Sequence, residues 1–138
     1  MLPAMLRRLR SWWTRRSSLG ARGERAAARH LRRKGLRIVA RNLRTRIGEI
    51  DLIAEDRRDP SLLIVVEVKS GVSDGVPPEH HVNGAKRRKL TTLAAGLLRR
   101  RRLAGRRIRF DLVGVVWPEG ARNPTRITHH VGAFASEI

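Results

Sequence analysis

Hydrophobic residues recur with the spacing of an α-helix in two segments of the chain, one near its start and one after its middle. In the first segment they form one apolar face that ends before Gly35, a residue type common at helix C-termini. The second segment follows Asn83, which can cap a helix, and ends before Gly105. The pattern predicts helices over Ala21–Lys34 and from Asn83 to about Leu103.

Alternating or continuous apolar runs, bounded by turn-forming residues, predict strands between and after these helices. The strands are Leu36–Arg44, Glu49–Glu55, Leu62–Lys69, Arg107–Trp117 and, as a fifth candidate, Arg126–Val131. The third is apolar almost throughout, which is typical of a central strand. The order of elements predicts an α/β protein with a mixed central sheet flanked by helices. Three antiparallel strands form a meander, and a helical crossover leads to a fourth strand parallel to the third.

Composition narrows the class of protein. The 138 residues suit one domain, and 41% hydrophobic residues suffice for a core. The 31 Lys and Arg exceed the 12 Asp and Glu by 19, which gives a net charge of +19. Such a charge attracts polyanions, and nucleic acid is the first candidate. The absence of cysteine excludes disulfides and thiolate chemistry and suits a reducing compartment, so we expect a cytoplasmic protein. No apolar run reaches roughly 18–20 residues, so we expect no integral membrane segment.

The basic residues are concentrated in two stretches that contain no acid: residues 1–23 hold six Arg, and residues 80–110 hold eleven Lys and Arg. They indicate either a polyanion-binding surface or solvated helix faces. We interpret residues 1–19 as a basic tail and residues 20–138 as the folded domain. In the tail, Trp12 and Trp13 could stack on bases or lie on an anionic membrane surface, or the segment could be a frayed extension.

Charged residues on two neighbouring strands provide the candidate chemistry. Residues two apart in a strand share a face, so Glu49 lies with Asp51, and Glu67 lies with Lys69. If the hairpin folds about Asp59, opposed residues have numbers that sum to 118, which places Asp51 opposite Glu67 with Lys69 beside them. Two neighbouring carboxylates suit a hard cation such as Mg²⁺ or Mn²⁺. The alternative is a buried network of ion pairs without a metal.

Three further charged residues each have two interpretations. Glu24 lies at the end of the apolar stripe of the first helix, where it either reaches the carboxylates or favours the helix N-terminus electrostatically. Lys86 begins the stripe of the second helix and either projects toward the site or extends outward from the core edge, the arrangement we favour for a lysine. Asp111 either pairs with an arginine, which we favour, or supports the site. Walker A, GxGxxG and GxSxG motifs are absent, which argues against the common nucleotide-binding and serine-hydrolase classes.

Several short motifs together resemble one family of bacterial proteins. They are Gly23-Glu24-x-Ala-Ala, Arg41-Asn42-Leu43-Arg44, Gly48-Glu49-Ile50-Asp51-Leu52-Ile53-Ala54, Val66-Glu67-Val68-Lys69, Val82-Asn83-x-x-Lys86-Arg87-Arg88-Lys89-Leu90, Arg109-Phe110-Asp111-Leu112-Val113 and Ala133-Phe134. Over roughly residues 20–135 the chain resembles the YraN family of uncharacterised proteins. That family is similar to the restriction-endonuclease-like superfamily, whose signature is PD-(D/E)xK, and especially to archaeal Holliday-junction resolvases.

The resemblance implies a restriction-endonuclease-like fold and a set of roles. Asp51 matches the aspartate of the signature, Glu67 and Lys69 match its (D/E)xK pair, and Glu24 matches an acid from the first helix. The superfamily holds one or two Mg²⁺ ions with these carboxylates and a main-chain carbonyl, here that of Val68. The lysine then assists the attack of water on a phosphodiester. Ile50 stands where the signature has proline, a position that the superfamily keeps loosely.

These observations lead to the expectation of a Mg²⁺- or Mn²⁺-dependent nuclease-like protein that hydrolyses phosphodiesters of DNA, with branched or structured DNA as the substrate suggested by the resolvases. Four consecutive basic residues, Lys86, Arg87, Arg88 and Lys89, would contact backbone phosphates. DNA is favoured over RNA, and a homodimer would suit a junction. One alternative is a DNA- or RNA-binding module that keeps the nuclease fold without catalysis. Another is a docking protein whose basic surface meets an acidic protein or a membrane.

Overall fold

The fold was analysed in a computed structural model that describes residues 18–73, 75, 77–99 and 105–134. Within these residues, two helices, five strands and a short 3₁₀ helix follow one another. They are α1 (Leu19–Arg33), β1 (Leu36–Arg44), β2 (Glu49–Asp56), β3 (Asp59–Gly71), the 3₁₀ helix (Pro78–His81), α2 (Gly84–Leu98), β4 (Arg107–Val116) and β5 (Arg126–Phe134). Residues 1–17, most of the predicted basic tail, lie outside the described part of the chain.

The strands form one sheet in the order β1-β2-β3-β4-β5. Neighbouring strands are antiparallel except β3 and β4, which are parallel and are joined by the crossover through α2. The predicted α/β architecture, a meander followed by a helical crossover, is therefore confirmed. It is the arrangement of the restriction-endonuclease-like fold.

The two helices begin and end where the sequence provides capping residues. The hydroxyl of Ser18 accepts a hydrogen bond from the backbone N–H of Ala21 at 3.1 Å, and the side chain of Asn83 accepts one from that of Lys86 at 3.0 Å. After α1 the chain turns at Gly35, whose φ of 93° lies in the left-handed region that favours glycine. Both predicted helix starts thus agree with the structure to within two residues.

A hydrophobic layer covers each face of the sheet. Alternation along β3 divides its side chains, so that Ile64 and Val66 pack toward α1, while Leu63 and Val65 pack toward α2. Small residues of α1, among them Ala27 and Ala28, are completely buried against the first face. Because both faces are covered, β3 is apolar on both sides, as its sequence predicts.

Some element boundaries differ from the prediction. β3 begins at Asp59 rather than Leu62, because a bulge lets Asp56 pair with Asp59 across the tight turn. The segment 70–82, predicted as a loop, contains the end of β3 and the 3₁₀ helix. α2 ends at Leu98 instead of about Leu103, and residues 100–104 lie outside the described part of the chain. Neither described helix is long and apolar enough to cross a membrane.

A candidate metal centre between β2 and β3

The candidate site lies where the pairing of β2 with β3 stops. Residue numbers of paired residues sum to 118 from Glu55 opposite Leu63 to Leu52 opposite Val66, which confirms the predicted register. The pairing ends there, one residue before Asp51 and Glu67. Beyond this point the backbone N–H of Val68 donates to Oδ2 of the Asp51 side chain at 2.9 Å. The carboxylate of Asp51 thus takes the place of a backbone acceptor at the end of the ladder.

Asp51 and Glu67 are close enough to interact directly. The side chain of Glu67 is only 3% exposed. Burial, together with the carboxylate of Glu67, raises the pKa of Asp51 to about 8, although the Val68 N–H and the positive charge of Lys86 oppose the shift. The buried oxygen Oε2 of Glu67 has no hydrogen-bond partner among the described residues. The two facing carboxyl groups therefore share one lysine, Lys86, among the described residues.

Two more carboxylates join Asp51 from other directions. Oxygen atoms of Glu24, Glu49 and Asp51 all lie within 4.8 Å of one another. The amide of Asn42 lies beside them, and with its nitrogen facing the acids it donates to Glu24 Oε2 at 2.7 Å and to Glu49 Oε1 at 3.2 Å. Glu24 therefore reaches the carboxylates, one of the two positions that the sequence left open.

Lys86 projects into the site from the first turn of α2. Its Nζ atom lies 3.2 Å from Oε1 of Glu67, and its side chain is 35% exposed. The favoured interpretation, that Lys86 extends outward, was wrong. An unpaired buried carboxylate is costly, so the ion pair with Glu67 outweighs full solvation of the lysine. The contact is possible because α2 begins close to Glu67.

The lysine and the carbonyl implied by the resemblance lie on the same strand. Lys69 is partly exposed, is two residues beyond Glu67, and pairs in register with Gly114 of β4. It forms no ion pair with the described residues. Val68 contributes its N–H to Asp51. A metal-binding role for its carbonyl and a catalytic role for Lys69 stay predictions.

The remaining basic residues of the α2 motif are exposed, and one of them lies beside the acids. Arg87, Arg88 and Lys89 are exposed in the first turns of the helix. Lys89 crosses Gly48, the residue before Glu49, so closely that a Cβ atom on Gly48 would lie 2.6 Å from Cε of the lysine. Lys89, the last residue of the motif, thus lies against the turn that precedes Glu49.

Asp111 belongs to a separate network on the other face of the sheet. It is completely buried and pairs in register with Val66, whose side chain packs toward α1. Arg109 donates to both of its oxygens at 2.8 and 2.9 Å, His129 Nε2 donates at 2.7 Å, and the N–H of Gly132 donates at 2.9 Å. Although burial opposes it, these donors lower the pKa of Asp111 to about 2. The interpretation as an arginine partner is confirmed.

Glu49 and Asn42 were absent from the predicted site. Alternation already placed Glu49 on the face of Asp51, so the sequence contained the evidence for it. Asn42 was harder to find, because it lies on β1 with a φ of 49° that no alternation rule anticipates.

Comparison with known proteins identifies the family to which the chain belongs. The model of the uncharacterised protein family UPF0102 matches residues 23–115, more than half of the chain and all the acids of the site. A UPF0102 protein of Rhodopirellula baltica is 42% identical over 137 residues, covering 92% of this chain and 81% of that protein. One of Syntrophotalea carbinolica is 41% identical over 121 residues, covering 86% and 93%. The chain belongs to the UPF0102 family, the YraN family that its motifs resemble.

Proposed function

We propose that this protein is a nuclease that uses Mg²⁺ or Mn²⁺ to hydrolyse phosphodiester bonds of DNA. The ion would be held at the fork, the point beyond Leu52 and Val66 where the pairing of β2 with β3 stops. The observation that supports the proposal most directly is the unpartnered buried oxygen of Glu67 beside a cluster of three other carboxylates. A buried carboxylate oxygen without a donor is costly in a folded protein. A site that tolerates this cost, and that also raises the pKa of Asp51, is a candidate for function.

The donor set suits the proposed ions. Carboxylate oxygens are the ligands that Mg²⁺ and Mn²⁺ prefer, and a divalent cation would add positive charge between Asp51 and Glu67. Asp51 and Glu67 would hold it, with the carbonyl of Val68 as a further ligand. Glu24 and Glu49 lie close enough to complete the acidic cluster. When bound, the ion would act as a Lewis acid toward the phosphate and would favour ionisation of water.

The side chains around the acids have complementary tasks. Lys69, on the same strand and face as Glu67, would orient the attacking water or stabilise negative charge on the phosphate. Lys86 already neutralises one oxygen of Glu67, which keeps that carboxylate in place before an ion binds. Asn42 would fix the directions of Glu24 and Glu49 through its amide hydrogens. Each of these side chains is anchored on a helix or a strand, which fixes its position as precisely as catalysis requires.

Nucleic acid is the proposed substrate because α2, which begins beside the acids, exposes several basic side chains, and because another basic side chain lies near Glu24. Arg87, Arg88 and Lys89 are exposed on α2. On the side of α1, Arg41 is close enough to Glu24 and to Arg32 for electrostatic interaction with each of them. A phosphate backbone would screen the repulsion among these cations while its scissile group approached the carboxylates.

Cleavage assays on DNA of defined shape test the proposal. Labelled linear, flapped and four-way DNA are incubated with the purified protein, with Mn²⁺, with Mg²⁺ or with a chelator. We expect metal-dependent cleavage that Asp51→Asn, Glu67→Gln and Lys69→Ala each abolish while DNA binding largely survives. Glu119→Gln, which removes an exposed carboxylate in the turn after β4, is the matched control and keeps full activity.

Calorimetry with Mn²⁺ separates the proposal from its alternative, a binding module that has lost the reaction. The nuclease requires metal binding that Asp51→Asn weakens and Glu119→Gln does not. DNA binding without metal binding at Asp51, and without cleavage of any substrate, would identify a binding module. Full cleavage by all three site variants would refute the assignment of these residues.

A further inference from the structure

A row of side chains crosses the sheet from the candidate metal centre to its far edge. Glu67 of β3 pairs in register with Leu112 of β4, and Leu112 pairs with His130 of β5. Paired residues project to the same face, so His130 lies on the face of Glu67, two strands away. With strands about 4.8 Å apart, their Cα atoms are separated by about 10 Å.

His130 is held by a buried carboxylate from the 3₁₀ helix. Its Nε2 atom donates to Oε2 of Glu79 at 2.8 Å, and the side chain of Glu79 is only 5% exposed. The carboxylate rests directly on Gly114 and occupies the space that a Cβ atom at this position would need. Gly114 of β4 pairs with Lys69 of β3, so the carboxylate of Glu79 packs on the strand next to the predicted catalytic lysine. Glu79 can therefore lie at this position only because residue 114 is a glycine and leaves space on the sheet.

The ring of His130 remains available to a ligand. Its side chain is 40% exposed, and its second nitrogen, Nδ1, has no hydrogen-bond partner within the described residues. In a protonated imidazole both nitrogens donate, so that with Nε2 committed to Glu79 the Nδ1–H can serve an anion. A carboxylate behind a half-exposed histidine orients the ring and fixes which nitrogen faces outward.

From this geometry we infer that His130 forms a second phosphate-binding position of the site, with Glu79 as its positioning residue. The inference rests on the proposed nucleic-acid substrate. A strand whose scissile phosphate lay at Asp51 and Glu67 would cross β4 and present a neighbouring phosphate to His130. The distance of about 10 Å corresponds to about three stacked nucleotides at 3.4 Å each, and to fewer when the strand is extended.

Binding of a single-stranded oligonucleotide in a chelator tests the inference without depending on cleavage. His130→Gln is the main variant, because an amide N–H can still donate to Glu79 but the side chain carries no charge. A series of oligonucleotides, each with one neutral methylphosphonate in place of a phosphate, locates the contact. His30→Gln is the matched control, because His30 lies on α1, which covers the face of the sheet opposite to His130. Thermal unfolding of every variant verifies the fold.

We expect His130→Gln to weaken binding about fivefold to tenfold and to lower the slope of log K against log salt by about 0.7, the value of one phosphate contact on a single strand. The wild type should bind one oligonucleotide of the series more weakly than the unmodified strand. The variant should bind that oligonucleotide and the unmodified strand equally well. Glu79→Gln should give a smaller loss at the same position. The control should bind like the wild type.

The outcomes separate this inference from the proposed function. Unchanged binding and an unchanged methylphosphonate profile in His130→Gln would overturn the second phosphate position and leave the nuclease proposal standing. The expected profile, in a protein that cleaves no substrate, would support the phosphate position and contradict the nuclease proposal. A wild-type protein that binds no oligonucleotide would overturn both.

Discussion

The raised pKa of Asp51 makes the stability of the metal-free protein depend on pH in an unusual direction. Burial and the neighbouring Glu67 raise this pKa from 3.8 to about 8. Between these values the folded protein holds a proton at Asp51 that the unfolded chain has released. The free energy of unfolding should therefore fall as the pH rises from about 4 to about 8 and level off above that. Most paired carboxylates produce the opposite slope.

The size of the effect follows from the shift. One pKa unit corresponds to about 1.4 kcal/mol, so three units between pH 5 and 8 set a ceiling of about 4 kcal/mol. Partial solvent access to Asp51 and relaxation of the fork reduce the ceiling, so we expect a loss of roughly 2–4 kcal/mol in this interval. Asp51→Asn cannot titrate, and its unfolding free energy should lack this contribution.

Urea denaturation at pH 5, 6, 7 and 8 in a chelator measures the effect as the difference between the wild type and Asp51→Asn. The difference is the right quantity because other titrations cancel. The pKa of His30 is lowered by burial and by Lys34, for example, and this raises stability with pH in both proteins alike. Mn²⁺ should reverse the trend, since an ion replaces the proton most easily at high pH. Parallel pH profiles of the two proteins would refute the account of Asp51.

Three further substitutions test other contacts. Lys86→Met should cost about 1–2 kcal/mol in urea denaturation, because it leaves Glu67 buried without its cation, and Mn²⁺ should restore more stability to it than to the wild type. Gly114→Ala should cost about 1–3 kcal/mol by displacing Glu79, whereas Gly96→Ala, with open space around it in α2, should be neutral or stabilising; equal effects in thermal unfolding would count against the close contact. Asp111→Asn should destabilise by about 2–3 kcal/mol at neutral pH, with the loss shrinking as the pH falls from 4 to 2, while calorimetric Mn²⁺ binding stays unchanged.

The central part of the site could be predicted from the sequence because it depends on short-range rules. Alternation assigns Asp51 and Glu67 to a face, and a tight turn near Asp59 fixes the register to within a bulge. Neither step needs information from distant parts of the chain. The bulge next to the turn is one departure from the prediction, and the other is that the pairing ends before the two acids, where the side chain of Asp51 replaces a backbone acceptor.

The surrounding residues could not be predicted because their positions depend on how layers pack. Lys86 reaches Glu67 only because α2 begins beside the fork, and no rule of helix periodicity gives that distance. Glu79 and His130 come from a segment predicted as a loop and from the strand predicted with least support. They meet over Gly114, which looks in the sequence like an interruption of a strand.

Two aspartates of the same sheet show why the fork is better explained as a functional site than as structural support. Asp111 is completely buried and stable as an anion, because Arg109, His129 and the N–H of Gly132 donate to it. Asp51 receives one backbone N–H and faces another acid, and its pKa moves in the opposite direction. A chain with 31 basic residues has ample means to neutralise an acid in its interior, as it does at Asp111. At the fork, by contrast, Asp51 and Glu67 face each other, and among the described residues only the ammonium of Lys86 forms an ion pair with them, which is the pattern expected where a ligand supplies further positive charge.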